Sequence, residues 1–270
     1  MNEINNFSKN IWKDIINFQW TGWNISYKDD GYLYIKSSWY KINDIYLNNT
    51  LSKIYISWFN TDISKYSSIS EDILIKTVEN NNKSELKSSI ETWFHLLINS
   101  KNVIHTHNVY INVLLCMKWW DKLLYDIIWN DIDIVDYNSP WLWLYNNLLK
   151  YKKFKEIIFL KNHWVIIHWN VWFNDLYNKL NYIWLKIKNY LNLDNFNILN
   201  YKKKIDKHFY PDSIVINDIE NYSSYKYIIN QIDKLWWEIV YLTDKEVDYI
   251  KNMKTEKYRK ELFIKNNIWL

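Results

Sequence analysis

The chain has only two glycines, Gly22 and Gly31, against 18 tryptophans in 270 residues. Glycine makes up about 7 % of an ordinary soluble protein, and tight turns depend on it because it tolerates positive φ. Together the two residue types account for 20 residues, close to the usual glycine frequency. Several tryptophans also stand where a turn is expected: Trp20, Trp23, Trp39, Trp141 and Trp164. We therefore hypothesise that many of these tryptophans are glycines, encoded by a reassigned stop codon.

The remaining composition indicates an AT-rich gene, with no alanine and with Arg259 as the single arginine. The net charge of +4 comes from lysines scattered among acidic residues, which argues against nucleic acid as a partner. The lone Cys116 excludes an internal disulfide and fits a reducing compartment. The first ten residues do not resemble a signal peptide, and no apolar run reaches the ~20 residues of a membrane span. We therefore expect a soluble, cytoplasmic protein without a membrane partner.

Hydrophobic periodicity predicts strands that alternate with helices, which is typical of an α/β layer architecture. The predicted helices cover residues 3–18, 88–100, 109–118, 142–151, 171–191, 222–234 and 244–266. The predicted strands cover residues 32–35, 53–57, 102–105, 132–135, 156–160, 165–167 and 213–216. Residues 19–26 and 60–83 are expected to form loops.

The strongest local signal is His105-Thr106-His107, which closes the apolar stretch Asn102–Ile104. Residues i and i+2 of a strand face the same side, so two imidazoles roughly 6–7 Å apart can grip one metal ion. His163 follows another apolar strand and offers a third nitrogen. Each signal also has an alternative without a metal. His105 and His107 could be polar residues at a strand end, and His163 could be a turn residue.

Glu91 has two interpretations. Ser88-x-x-Glu91 matches a helix capping box, in which Glu91 bonds a free backbone amide. Alternatively, Glu91 is a carboxylate beside the metal, where it binds the ion or moves a proton. His95 lies one turn later and is interpreted as structural. His168 and His208 have no partner pattern and are not expected to be ligands.

Residues 19–26 offer a possible anion site. With glycine at 20 and 23, this loop would expose backbone N–H groups that suit a phosphate. With tryptophan there, it could not wrap a phosphate closely. Ser37, Ser38 and Ser89 could add hydroxyl donors. A plain turn is the alternative.

The order of these motifs along the chain resembles that of the class II aldolase/adducin family. The resemblance covers roughly residues 7–190. It rests on a Gly-Asn-x-Ser-like loop, a Ser-Ser-Gly-like turn, Ser89-Ile-Glu91-x-x-x-His95, His105-Thr-His107 and an Asn-His163-Gly-like segment. Trp23, Trp39, Trp141 and Trp164 fall where the family pattern has glycine.

The resemblance implies that His105, His107 and His163 bind a divalent metal, commonly zinc, with Glu91 as fourth ligand and catalytic acid/base. It also implies a phosphate site at four positions, namely Asn24, Ser38, Trp39 and Ser89. The aldolases of the family use a tyrosine from a neighbouring subunit as proton donor, for which Tyr125 and Tyr137 are the candidates here.

The implied fold is a three-layer α/β/α domain with a central, mostly antiparallel sheet over residues 1–195. An α-rich C-terminal extension, residues 196–270, is expected to pack on this domain. The implied assembly is a homotetramer with active sites between subunits.

The implied activity is retro-aldol cleavage of a phosphorylated ketose through an enediolate. In this reaction the metal stabilises negative charge on the carbonyl oxygen as a Lewis acid. The same site could serve a sugar-phosphate 4-epimerase or a dehydratase. Two further alternatives are a non-catalytic interaction module of adducin type and a metal-independent protein with an incidental His-x-His.

Overall fold

The computed structural model describes residues 2–19, 22–59, 71–128, 131–136, 147–151, 153–215 and 218–253. The strands in this part are β1 Asn24–Asp29, β2 Tyr32–Lys36, β3 Leu51–Tyr55, β4 Asn102–Thr106, β5 Ile132–Val135, β6 Ile157–Leu160 and β7 Val165–Trp169. The helices are α1 Asn2–Ile11, α2 Ile42–Asn48, α3 Glu71–Asn81, α4 Thr92–Leu97, α5 Val109–Leu115, α6 Trp120–Ile128, α7 Phe173–Tyr190, α8 Asp212–Val215, α9 Ile219–Lys234 and α10 Asp244–Asn252.

The described strands form one sheet in the order β3-β2-β1-β4-β7-β6-β5. Every neighbouring pair is antiparallel except β5 and β6, which are parallel. In the register between β1 and β4, Asn24 lies opposite His105. Between β4 and β7, Thr106 lies opposite Val165. The end of β4 is therefore flanked by the start of β1 on one side and the start of β7 on the other.

Each face of the sheet has its own hydrophobic core. Ile104 belongs to one cluster of buried side chains and its neighbour Val103 to the other. The same alternation holds for Phe159 and Ile158 in β6. Successive side chains of a strand point to opposite faces, so helices cover the sheet on both sides. The predicted three-layer α/β/α fold with a mostly antiparallel sheet is confirmed.

Several predicted helices are longer than the observed ones. The helix expected over 109–118 ends at Leu115. Of the helix expected over 244–266, the structure describes Asp244–Asn252, and residues 254–266 lie outside the described part. The helix expected over 3–18 ends at Ile11, because the Asp14 carboxylate accepts the backbone N–H groups of Ile16 and Asn17 and turns the chain. The helix expected from Ser88 begins at Thr92 instead. The predicted Ser88–Glu91 capping box is wrong, since the Ser88 hydroxyl donates to Glu79.

Other elements were misread from the sequence. The expected loop 60–83 contains α3, whose Leu74 and Val78 are buried one helical turn apart; residues 60–70 lie outside the described part. The expected strand 213–216 is wrong over residues 213–215, which belong to the short helix α8 that follows Pro211. Residue 216 lies outside the described part. The loop expected over 19–26 ends earlier, since β1 begins at Asn24. Helices α2 and α6 had no counterpart in the prediction. Residues 142–146 of the predicted helix 142–151 lie outside the described residues, and residues 147–148 are helical.

The segment after residue 195 packs on the sheet domain. Phe209 and Ile228 belong to the same buried cluster as Ile104 of the sheet. Asn162, in the turn between β6 and β7, donates to the carbonyls of Phe209 and Val240 at 3.0 and 2.7 Å. The domain boundary near 195 stays a prediction. None of the helices described is both long and apolar enough to cross a membrane.

Candidate functional site

The candidate site lies at the end of β4. His105 is the penultimate residue of this strand, and His107 follows its last residue. The turn between β6 and β7 brings His163 alongside, since its backbone N–H bonds the Leu160 carbonyl at 3.1 Å. The ring centre of His105 is 5.7 Å from that of His107 and 6.3 Å from that of His163. Two imidazoles on one tetrahedral zinc have ring centres roughly 5 Å apart, so this spacing is close to that of a shared ion.

Glu91 is buried beside His105. Its Oε2 lies 3.0 Å from His105 Nδ1, so the carboxylate does not cap α4 as the capping-box interpretation required. Burial by itself raises the pKa of Glu91, but the charge and hydrogen bond of His105, with the charges of His107 and Lys36, outweigh it and lower the pKa. Glu91 is therefore an ionised carboxylate in a water-poor site, able to accept a proton.

His107 is held by a residue that sequence reasoning did not single out. Asp212 Oδ2 lies 2.7 Å from His107 Nδ1, and both side chains are almost fully buried. The carboxylate reaches the site from α8, in the C-terminal segment. Gly22 packs against this pair: a Cβ at residue 22 would lie 2.7 Å from Asp212 Oδ2 and 2.9 Å from His107 Cε1. This close approach requires glycine at position 22.

His163 is fully buried, and burial, with the nearby charges of His105 and His107, holds its pKa well below the ordinary value. It is therefore neutral, the form in which imidazole binds a metal. The Nε2 atoms of His105 and His163 are buried and have no hydrogen-bond partner among the described residues. A buried polar nitrogen left in this way is costly in a folded protein unless something binds it.

His95, interpreted from the sequence as structural, lies closer to this cluster than expected. One ligand atom from each of Glu91, His95 and His105 falls within 4.8 Å of the other two. Its Nδ1 already pairs with the Ser26 hydroxyl at 2.6 Å. His95 therefore either supports the cluster or shares its ion, and its position on the Glu91 helix is the signal that could have indicated this.

The side chains expected at a phosphate site meet next to Glu91. Asn24 Nδ2 donates to Ser89 Oγ at 2.6 Å, and Ser89 Oγ accepts the Glu91 backbone N–H at 3.2 Å. Ser38 Oγ donates to the Ser88 carbonyl at 2.9 Å. Trp39 follows Ser38 with a φ of +79°. Trp20 lies outside the described residues, and Ser37 bonds Ser52 at 2.7 Å instead.

Lys36 is a buried cation that sequence reasoning missed. Only 2 % of the residue is exposed, at the end of β2 just before Ser37. Its Nζ donates to the Tyr40 carbonyl at 3.1 Å and lies 4.8 Å from the ring centre of Trp23. Its charge also acts on Glu91. A buried positive charge that acts on Glu91 suits an anionic ligand.

The indole of Trp164 lies among the three imidazoles. Its ring centre is 4.4 Å from that of His105, 4.0 Å from that of His107 and 3.2 Å from that of His163. A zinc ion bound by a ring nitrogen would lie about 3 Å from each imidazole centre, given Zn–N bonds of about 2.1 Å. The indole is stacked on the faces of His107 and His163, at interplanar angles of 10° and 28°, whereas a metal ion lies in the plane of the imidazole that binds it. The donor types therefore suit a divalent ion, but the indole crowds the cluster. The group of donor atoms found within 4.8 Å of one another among the described residues is that of Glu91, His95 and His105.

The Asp212–His107 pair gives a first prediction. Asp212→Ala leaves a buried His107 without its carboxylate, which costs about 3 kcal/mol of unfolding free energy in comparable buried pairs. Glu238→Ala is the matched control, because Glu238 pairs with Lys118 at 2.6 Å on the surface, where such pairs contribute about 0–1 kcal/mol. Urea unfolding measures both. Equal midpoints for the two variants would show that the buried pair has no special role.

The two histidines not expected to be ligands bond elsewhere. His168 Nδ1 pairs with the Ser100 hydroxyl at 2.9 Å, and His208 Nδ1 pairs with the Ser213 hydroxyl at 3.0 Å. Of the candidate proton donors, Tyr125 is 48 % exposed on α6, and Tyr137 lies outside the described residues.

His168 gives a second prediction, on acid stability. Burial lowers its pKa from 6.5 to about 4. Between these values the unfolded chain binds more protons, so the stabilisation by neutral His168 is complete above pH 6.5 and is lost as the pH falls to 4. A shift of this size corresponds to about 3 kcal/mol. His168→Gln should remove that part of the pH dependence, measured by unfolding at several pH values. Parallel stability curves for the two proteins would contradict it.

Three solved structures share the fold. The class II aldolase domain of a Thermoplasma acidophilum protein has a TM-score of 0.59 and 19 % identity, over 70 % of this chain and 92 % of that one. YgbL of Klebsiella pneumoniae is provisionally assigned as an aldolase, epimerase or decarboxylase. Its TM-score is 0.53 and its identity 15 %, over 92 % of this chain and 96 % of that one. A sugar-phosphate aldolase of Thermotoga maritima has a TM-score of 0.52 and an identity of 14 %, over 71 % of this chain and 94 % of that one.

No protein-family model matches the sequence, and no curated protein matches it. At identities of 14–19 % the three structures establish the fold and no more. The chain has the class II aldolase fold, and the resemblance seen in the sequence is confirmed at that level. Since YgbL matches over 92 % of the chain, the likeness extends into the C-terminal segment.

Proposed function

We propose that this chain is a metal-dependent lyase of the class II aldolase family that cleaves a phosphorylated ketose by retro-aldol chemistry. The observation that carries the proposal is the convergence of Glu91, His105, His107 and His163 at the end of β4. Within this fold, three imidazoles and one carboxylate in a buried site are the donor set of a catalytic metal centre. The metal we propose is zinc.

In this proposal Glu91 is the acid/base. Its lowered pKa keeps it ionised at neutral pH, so in the addition direction it can take the proton from the carbon next to the carbonyl. In the cleavage direction the protonated Glu91 returns that proton to the enediolate carbon. Burial removes the water that would compete for this proton. The hydrogen bonds to His105 and to the Ser89 hydroxyl through the Glu91 backbone fix its position. A general base must lie within hydrogen-bond reach of its proton, so this positioning matters as much as the pKa.

The substrate phosphate binds, in this proposal, beside Asn24, Ser38, Ser89 and the backbone of residue 39. Two hydroxyls, one amide and backbone N–H groups supply neutral donors, and the buried Lys36 supplies the positive charge that a phosphate dianion needs in a dry site. In this proposal the phosphate lies next to Glu91, whose backbone N–H donates to the Ser89 hydroxyl.

The remaining parts of the proposal follow the resemblance: residues 1–195 as the catalytic domain, 196–270 as its extension, a homotetramer and a cytoplasmic location. Whichever tyrosine donates a proton from a neighbouring subunit would be identified by variants at the exposed Tyr125 and at Tyr137. Gel filtration with light scattering tests the assembly state.

The test of the activity is a screen of phosphorylated ketoses for release of an aldehyde. It uses protein with zinc measured per chain, once as purified and once after chelation. Cleavage of at least one ketose phosphate, lost on chelation and regained with zinc, is expected. Epimerised or dehydrated products would assign the site to a different reaction of the same class. A zinc-loaded chain that changes none of the sugars would favour the non-catalytic alternative.

A further inference from the structure

Three tryptophans have a backbone conformation that bulky side chains avoid. Their φ angles are +79° at Trp39, +64° at Trp119 and +60° at Trp236. The other described residues with positive φ are of the types that accept it: Asp30, Gly31, Asn49, Asn162 and Asn192. A non-glycine residue pays a steric cost in this region, and for a residue as large as tryptophan it is a true outlier.

Trp236 shows most clearly what the backbone requires. It is the first residue past Leu235, the C-cap of α9. The backbone N–H of Trp237 bonds the Ile232 carbonyl at 3.2 Å, and that of Trp236 bonds the Asp233 carbonyl at 3.0 Å. This pair of bonds is the Schellman motif, whose left-handed residue is usually glycine. The Trp236 side chain is 95 % exposed, so no packing compensates for the strain.

At Trp164 a second, independent observation points the same way: its side chain lies too close to its neighbours. Its ring centre lies 3.2 Å from that of His163, closer than the roughly 4.5–7 Å of ordinary aromatic pairs. Its indole is also stacked on His107, so it crowds the cluster that His105, His107 and His163 form. A residue without a side chain at 164 would remove this crowding.

We propose that residues 39, 119, 164 and 236 are glycine in the functional protein, because the codon translated as tryptophan specifies glycine in its own host. One cause then explains three observations: the excess of tryptophan over glycine, the left-handed backbone at residues 39, 119 and 236, and the indole among the imidazoles. For residues 39, 119 and 236 the argument is independent of activity; for residue 164 it rests on the proposed function. Glycine at 164 would relieve the crowding of the proposed metal site.

The first test separates glycine from mere loss of tryptophan. Trp236→Gly should shift the folding equilibrium toward the native state by about tenfold, the usual cost of a left-handed L-residue. Trp236→Ala removes the same indole but keeps the strain, so it should change the equilibrium about twofold at most. Trp172→Gly is the control, because Trp172 is 65 % exposed with a φ of −66°. It is the N-cap of α7, where glycine is only modestly favoured, so its gain should stay well below tenfold. Equal effects of Gly and Ala at 236 would overturn the proposal there.

The second test concerns the ion and the gene. Trp164→Gly and Trp164→Ala should each bind one zinc per chain, at least about tenfold more tightly than the Trp164 chain, measured by zinc titration; circular dichroism verifies folding. The codons at the four positions should differ from UGG. UGG at all four would overturn the proposal whatever the zinc result. Reassigned codons with a folded Trp164→Gly protein that binds no zinc would uphold the decoding and contradict the proposed metal site instead.

Discussion

Glu91→Gln, in a chain with glycine at 39, 119, 164 and 236, is expected to keep its zinc and to lose turnover by about 100-fold or more. General acid–base groups contribute about 10²–10⁴ to rate, and glutamine cannot accept the proton. The amide keeps the shape of the carboxylate, so it can still hydrogen-bond to His105, which lies 3.0 Å away. The metal site, anchored by three histidines, should therefore survive.

The measurements are zinc per chain and initial rate on the same preparation. Glu85→Gln serves as control, since Glu85 is exposed and outside the site. Glu91→Gln that retains more than about a tenth of the rate would assign the proton transfer to another group. Loss of zinc together with the rate would instead assign Glu91 a mainly ligating role.

His107→Ala in the same background is expected to lose both the ion and the activity. The imidazole is one of three nitrogens proposed to hold the ion, and even outer-shell changes cost about 10–100-fold in metal affinity. The loss should therefore exceed about 100-fold, leaving no zinc after gel filtration. His168→Gln is the control, because His168 bonds Ser100 away from the cluster and should keep one zinc per chain. Full activity of His107→Ala after chelation would refute the metal-dependent reaction.

Asp212 extends this prediction to the C-terminal segment. A carboxylate that bonds the second nitrogen of a ligating histidine fixes the orientation of its ring. Asp212→Asn should therefore weaken zinc binding less than His107→Ala does, yet more than Glu238→Ala on the surface. Zinc titration of the three variants checks this order.

Local patterns allowed the sheet and most of the candidate site to be predicted. The strand at 102–105 was indicated by the apolar stretch that His105-Thr106-His107 closes, and all five residues of β4 are buried. His163 was found in the same way, as a polar residue directly after the apolar strand β6. Residues within one strand and its turn carry their own structural signal, so these predictions needed no long-range contact.

Contacts between distant segments could not be read from the sequence. Asp212 and His107 are far apart in the chain, and only the packing of α8 brings them to 2.7 Å. Glu91 matched a capping box with Ser88 in the sequence. In the structure the Ser88 hydroxyl donates to Glu79, and the Glu91 carboxylate pairs with His105. In both cases a tertiary partner overrides a local pattern, and the partner lies on another element.

The excess of tryptophan was visible from the sequence, but its consequences at each position were not. The hypothesis of glycine at 39 and 164 came from turns and from the resemblance. Residues 119 and 236 emerged only from their φ angles of +64° and +60°. Glycine normally marks in the sequence the left-handed residue that ends a helix. Where tryptophan is written instead, the sequence gives no sign that the helix ends there.

The central claim is that Glu91 and the histidine cluster remove a proton from carbon next to a phosphorylated ketone. The most direct test is hydrogen exchange in D₂O, followed by NMR, with a small phosphorylated ketone and zinc-loaded protein carrying glycine at 39, 119, 164 and 236. The account predicts that deuterium enters the carbon beside the carbonyl, and that Glu91→Gln or chelation abolishes this exchange. Exchange at the same rate with Glu91→Gln, or none with the folded, zinc-loaded protein, would contradict it.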